Sequence, residues 1–262
     1  MQPMRPSQPV VYFFPHTPKC AGSTISSHMG ALQDDVVVLT GKAWPGEARS
    51  RMQDIRRARF LTGHYLPRSA STLFEGHEIR EIALLRDPAS YFQSLYQFYL
   101  RSSVRRHRAK TIGFDLWYRC QRKNPVSHFF LSRYFRISPV REMGMTHRQV
   151  LDFLSEHFDR FWFVGSYHHC GLLLDDLSRE FGLSNAVESR NVSRNSIPLP
   201  DHYRNRILQE NRLDQALYDI WADRLWRGGH VNVREPALPS WSRKMRDEAS
   251  VCMARIERHF IA

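Results

Sequence analysis

The chain has 262 residues, 42% of them apolar and 12% aromatic, so it can bury a sizeable core, which argues against global disorder. No apolar run approaches the roughly 20 residues that span a bilayer. The first one, Val10-Val11-Tyr12-Phe13-Phe14, is too short for the core of a secretion signal, so a soluble, cytoplasmic protein is expected. The formal net charge of +12 points to anionic partners.

Val10–Phe14 is apolar, β-branched and aromatic, and reads as a buried strand. Pro15, Pro18 and Gly22 punctuate the segment after it, and Ser23-Thr24 are placed to cap a helix running from Ile25 to Leu32. Val36–Leu39 reads as a second strand, Arg59–Tyr65 contains a third, and Glu78–Leu85 is a fourth that stops at Arg86-Asp87-Pro88. Pro88 suits the first turn of a helix, here drawn from Ala89 to about Ser103. Residues 105–158 read as mostly helical, followed by a strand over Phe161–Val164 and a helix over Gly171–Phe181 that Gly182 stops. Two further helices are expected, Asp201–Leu225 and Trp241–Phe260. Strands of this composition alternating with helices imply an α/β fold: a parallel β-sheet covered by helices, carrying a basic helical insertion over 105–158, in a single domain spanning 1–262. In such sheets ligands bind at the carboxyl ends of the strands, which directs attention to residues 15–24, 63–65 and 86–94.

Charge is concentrated in the insertion. Residues 101–148 hold twelve Lys and Arg against two acids, Asp115 and Glu142, a composition that attracts an acidic glycan, nucleic acid or anionic lipid unless it is only a solvated face. The four cysteines, Cys20, Cys120, Cys170 and Cys252, form no CxxC pair and signal neither zinc nor a disulfide framework. His168-His169 has no carboxylate or cysteine at metal-ligand spacing and reads as surface, so no metal is expected. Asn191-Val192-Ser193 matches a glycosylation sequon that has no secretion signal to give it meaning.

The segment His16-Thr17-Pro18-Lys19-Cys20-Ala21-Gly22-Ser23-Thr24 joins a strand to a helix N-terminus. Free N–H groups and the helix dipole favour an anion there, Gly22 permits close approach, Ser23 and Thr24 add hydroxyls, and Lys19 adds a cation. The lysine precedes the glycine and no glycine opens the loop, so this is not the Walker pattern of nucleotide hydrolases. A plain strand-to-helix turn accounts for the same residues equally well. Arg86-Asp87-Pro88-Ala89-Ser90-Tyr91-Phe92-Gln93-Ser94 forms a second candidate site, in which Arg86 at a strand end and Ser94 about two helical turns on can converge on a phosphate. An Arg86–Asp87 surface pair beside a proline cap is its ordinary alternative.

Taken together, HTPKCAGST resembles the 5′-phosphosulfate loop, and RDPASYFQSLYQFY the 3′-phosphate motif, of carbohydrate sulfotransferases, in particular the branch with the heparan sulfate and uronyl 2-O-sulfotransferases and their bacterial relatives. LTGHY (Leu61–Tyr65) is similar to that branch's catalytic-histidine segment, FWFVGSYHHCGLLLDDLSREFGL to its late strand and helix, and NVSRNSIPLP with LDQALYDIWADRLW to its donor-capping loop and closing helix. The resemblance runs from about residue 10 to 226, and its first two motifs together are its specific part. Cys20 departs from the pattern by replacing a threonine.

The resemblance implies a P-loop-like fold, a metal-free reaction, and 3′-phosphoadenosine 5′-phosphosulfate (PAPS) as donor. It also distributes roles. His64 is the base that takes the acceptor's proton, with His16 in reserve, and Lys19 neutralises the leaving group. Ala21, Gly22, Ser23 and Thr24 hold the 5′-phosphate, Arg86 and Ser94 hold the 3′-phosphate, and Asn191 and Ser193 close over the donor. The acceptor is a carbohydrate hydroxyl, and an acidic glycan would suit residues 101–148, with no nucleic acid expected. Two rivals stay open. A P-loop nucleotide kinase needs a Walker lysine and a magnesium-binding acid. A non-enzymatic polyanion or nucleic-acid binder would exploit the Arg101–Arg108 cluster but leave the two loops unexplained.

Overall fold

The computed structural model describes residues 9–39, 44–105, 112–183, 198–222 and 226–227. The first half of the chain alternates strand and helix: β1 (Val10–Pro15), α1 (Gly22–Met29), β2 (Val36–Leu39), α2 (Trp44–Arg57), β3 (Phe60–Gly63), β4 (Glu78–Leu85) and α3 (Pro88–Arg105). The insertion follows as α4 (Phe114–Arg119), α5 (Pro125–His128) continued by a π-helical stretch (Phe129–Tyr134), α6 (Pro139–Met143) and α7 (His147–Phe158). Then come β5 (Phe163–Ser166), α8 (Cys170–Phe181), α9 (Asp201–Glu210), α10 (Arg212–Trp221) and β6 (Trp226–Arg227).

The strands form one sheet in the order β2-β3-β1-β4-β5-β6. The first five run parallel, and β6 pairs antiparallel with β5. This is the α/β architecture expected from the sequence. Its central strand alternates between two cores, as the two-residue period of a strand requires. Val11 and Phe13 pack with Ile55 of α2 and with Ala70 and Phe74. Tyr12 and Phe14 belong to the larger core with Ile25 of α1 and Leu173, Leu174 and Leu177 of α8. The chain leaves β1 toward β2 on one side and adds β4 on the other, so the carboxyl end of β1 is the topological switch point of the sheet.

Several boundaries differ from those read along the sequence. The first helix begins at Gly22, so Ser23 and Thr24 lie within its first turn, and its N-cap is Ala21 with φ 60° and no side-chain cap. The fifth strand begins two residues later than expected, because Phe161 still closes the turn out of α7 by donating its N–H to the Phe158 carbonyl. Helix α2, which no expectation covers, is a mostly polar run anchored in the core by Ile55. The expected helix over Asp201–Leu225 is two helices separated at Asn211. The expected Trp241–Phe260 helix lies outside the described residues.

The break at Asn211 has a tertiary cause. Asn211 Oδ1 accepts the Asn124 N–H at 2.7 Å, and Asn124 Oδ1 accepts the N–H groups of Leu213 and Asp214 at 3.2 Å each. The Asp214 carboxylate in turn accepts the Val126 and Ser127 N–H groups at 2.8 Å each. The N-termini of α5 and α10 thus cap one another, satisfying donors that both helices would otherwise leave buried. Burial raises the Asp214 pKa to about 6.

A second polar anchor crosses the core. Arg68 donates to Glu81 on β4 at 2.8 Å, and Tyr134 of the π-helical stretch donates to the same carboxylate. Both charges of the ion pair are almost fully buried. Arg68→Ala should therefore destabilise the fold by roughly 3–5 kcal/mol, since it strands the Glu81 carboxylate in the core. Equilibrium urea unfolding of the variant against the parent checks this.

Candidate functional site

The register of the sheet assembles the first pair of groups. Pro15 of β1 lies opposite Gly63 of β3, and the His16 N–H donates to the Gly63 carbonyl at 3.1 Å. The residues after these two, His16 and His64, therefore leave neighbouring strand ends side by side, with ring centroids 4.2 Å apart. His64 Nδ1 lies 2.6 Å from the His16 carbonyl oxygen. A carbonyl can only accept, so Nδ1 carries the proton and Nε2 keeps its lone pair. Burial lowers the His64 pKa below the ordinary histidine value, and the nearby Arg133 charge adds to this. His16 is lowered to about 3, first by burial and then by His64 and Lys19.

The loop after β1 turns on alternating backbone hand. Lys19 (φ 63°) and Ala21 (φ 60°) are left-handed on either side of Cys20. Such alternation turns successive N–H groups toward one concave side, an arrangement that receives anions. The Gly22 and Ser23 N–H groups, at the start of α1, have no acceptor among the described residues. Gly22 is required here for space, because a Cβ on it would come within 1.8 Å of the His16 ring. Cys20 is fully buried and its thiol is pushed up to about 12, so it fills volume and brings no nucleophile.

Arg86, at the end of β4, ties the second segment to this loop. Its Nη1 donates to the Lys19 carbonyl at 2.8 Å and its Nε to Ser90 Oγ at 3.1 Å, while the guanidinium lies 4.1 Å from the centroid of the Tyr167 ring. Asp87 accepts the Ser90 N–H at 3.0 Å and so caps α3. Ser94 lies one turn beyond Ser90 and does not bond Arg86, whose remaining N–H groups have no acceptor among the described residues. Lys19 is half-buried, with its ammonium 4.7 Å from the centroid of the Phe98 ring. Burial and the charges of Arg101 and Arg86 lower its pKa to about 8.

His64, Lys19, Ala21, Gly22, Ser23, Thr24 and Arg86 thus gather at the carboxyl ends of β1, β3 and β4, with Ser94 on the adjoining helix. Asn191 and Ser193 lie outside the described residues. Four residues of the site were not singled out in the sequence: Ser90, Tyr167, Phe98 and Arg133. The π-helical stretch carries Arg133 over Tyr65, 4.7 Å from its ring centroid, and within electrostatic range of His64. Within residues 101–148 Arg133 is one of twelve basic residues and has no motif to mark it. Ser90 and Phe98 had a signal, because they fall with Ser94 on one face of α3 at helical spacing.

Part of the charge in the rest of the insertion is paired. Arg119 pairs with Asp115 at 2.9 Å, Arg122 with Glu142 at 3.1 Å and Lys123 with Glu210 at 3.1 Å. Arg106, Arg108 and Lys110 lie outside the described residues. Among the described residues no cluster of three or more His, Cys, Asp or Glu is placed to hold a metal, and no helix is long and apolar enough to cross a membrane. His169 accepts the Ser166 N–H at 3.2 Å and His168 is exposed.

No protein-family model and no curated protein matches the chain. Among solved structures it is similar to a sulfotransferase from Alicyclobacillus acidocaldarius, at 14% identity and a TM-score of 0.44, over 80% of this chain and 94% of that one. At that distance the likeness carries no argument about function, which rests on the site itself.

Proposed function

We propose that the protein transfers a sulfuryl group from PAPS to a hydroxyl of a carbohydrate acceptor. The observation that carries this reading is the placement of a neutral His64, whose Nδ1 bond to the His16 carbonyl leaves Nε2 its lone pair, beside the cationic loop of Lys19 at the switch point of the sheet. The unpaired N–H groups of Gly22 and Ser23 suit the 5′-phosphate, and the remaining donors of Arg86, with Ser94, suit the 3′-phosphate. The anion-accepting groups at two strand ends fit a donor with two separated phosphate groups.

In the reaction the acceptor oxygen attacks sulfur in line as its proton passes to His64 Nε2. The bond between sulfur and the bridging oxygen breaks, and its electron pair leaves with adenosine 3′,5′-bisphosphate. Lys19 offsets the charge that grows on that oxygen. His64 is the better base of the two histidines, because His16, held near 3, has little affinity for a proton. Arg133, beside His64, suits an acceptor that is itself anionic, such as an acidic glycan.

The test has two arms. Calorimetry should give binding heat for adenosine 3′,5′-bisphosphate and none for ATP–magnesium; the reverse would favour a nucleotide kinase. Incubation with radiolabelled PAPS and a panel of acidic and neutral glycans should then label a glycan. A salt-sensitive shift of nucleic acid without bisphosphate binding would favour the polyanion binder. Arg86→Ala is expected to weaken bisphosphate binding roughly tenfold to a hundredfold. Adenosine 5′-phosphosulfate, which lacks the 3′-phosphate, should lose less, and equal losses would place the 3′-phosphate elsewhere.

A further inference from the structure

Phe98 is 45% exposed, on a helix that buries Phe92 completely. Its face is occupied by the Lys19 ammonium, 4.7 Å from the centroid. Ser90, Ser94, Phe98 and Arg101 recur at helical spacing along α3, so one stripe of this helix runs from the Arg86 contact to the Lys19 ammonium. The cations around Lys19 push it away from both ends of that stripe: Arg86 is bonded to its own carbonyl, and Arg101 lies one turn beyond Phe98. Four methylene groups leave the ammonium many places to go. An aromatic face fixes it by electrostatic attraction without adding a negative charge that would compete with an anionic donor.

We propose that Phe98 is a positioning residue for Lys19, holding the ammonium on its ring face at the mouth of the phosphate loop. This rests on the reading of Lys19 as the group that offsets leaving-group charge. A carboxylate in the same place would hold the lysine but repel the donor, whereas a leucine would bury its stem and let the head wander.

The hold is read directly by dimethylating the amines with isotope-labelled methyl groups, which keeps the charge. The chain has five lysines, so the Lys19 resonance is assigned by its loss in Lys19→Arg. It should be displaced by the ring current of Phe98, return toward the solvent-exposed position in Phe98→Leu, and stay displaced in Phe98→Trp. In turnover, Phe98→Leu should lower kcat roughly tenfold with donor KM changed less than about threefold, and Phe98→Tyr and Phe98→Trp should retain most activity. An undisplaced Lys19 resonance in the parent overturns the proposal. So does full kcat in Phe98→Leu, or a Phe98→Trp variant as slow as Phe98→Leu. Absence of adenosine 3′,5′-bisphosphate binding to the parent would instead refute the donor reading, while the resonance still decides whether Phe98 holds the ammonium.

Discussion

Replacing His64 with alanine is expected to lower kcat by roughly 10²–10⁴-fold, the range a positioned general base supplies, with circular dichroism and bisphosphate binding unchanged. The physical basis is the 2.6 Å contact from Nδ1 to the His16 carbonyl, which fixes the tautomer and leaves Nε2 its lone pair. The side chain is half-buried and bonds the chain at one atom, so its loss removes a base and little stability. The variant also tests the rival within the pair. If His16 were the base, His64→Ala would keep most of its turnover and His16→Ala would lose it.

The pH profile of kcat/KM extends this test, because it reports the groups of the free protein. His64 must be unprotonated to act, and burial holds its pKa below the ordinary histidine value. Activity should therefore rise with pH along an acidic limb that lies below about 6.5. Lys19 must be protonated, and its pKa is about 8, so activity should fall as pH rises through that value. In His64→Ala the residual rate should lose the acidic limb and keep the alkaline one.

Lys19→Ala is the second large effect expected, a loss of roughly 10²–10³-fold in kcat, as for removal of a donor aimed at developing charge. Binding of the bisphosphate product should weaken much less, because the loop's N–H groups and Arg86 remain. The alkaline limb near 8 should vanish with the lysine. A variant that lost binding and rate in equal proportion would show that Lys19 anchors the donor and does not act on the leaving group.

Much of this arrangement was legible along the chain. The apolar run Val10–Phe14, the abrupt end of Glu78–Leu85 and the Gly182 stop are local signals, and each lies at an observed element. Residues 15–24, 63–65 and 86–94 lie at or just after strand ends, and in a parallel sheet all such ends lie on one edge, so the sequence alone groups the candidate loops. The apolar spacing of Asp201–Leu225 continues past Asn211 and predicts one helix, because spacing does not register a side chain that reaches 87 residues back to Asn124.

The local sequence determined the alternation of buried strands with amphipathic helices, and with it the edge of the sheet where anions would gather, because backbone periodicity and glycine or proline placement act over a few residues. Only the tertiary structure decided which groups touch. Parallel register set His16 against His64, the guanidinium of Arg86 closed on the Lys19 carbonyl 67 residues away, and packing brought Arg133 of the insertion and Phe98 of α3 to the same mouth. Tautomer, burial and mutual repulsion among charges depend on those contacts, so the chemistry of the site is a property of the fold and not of any one segment.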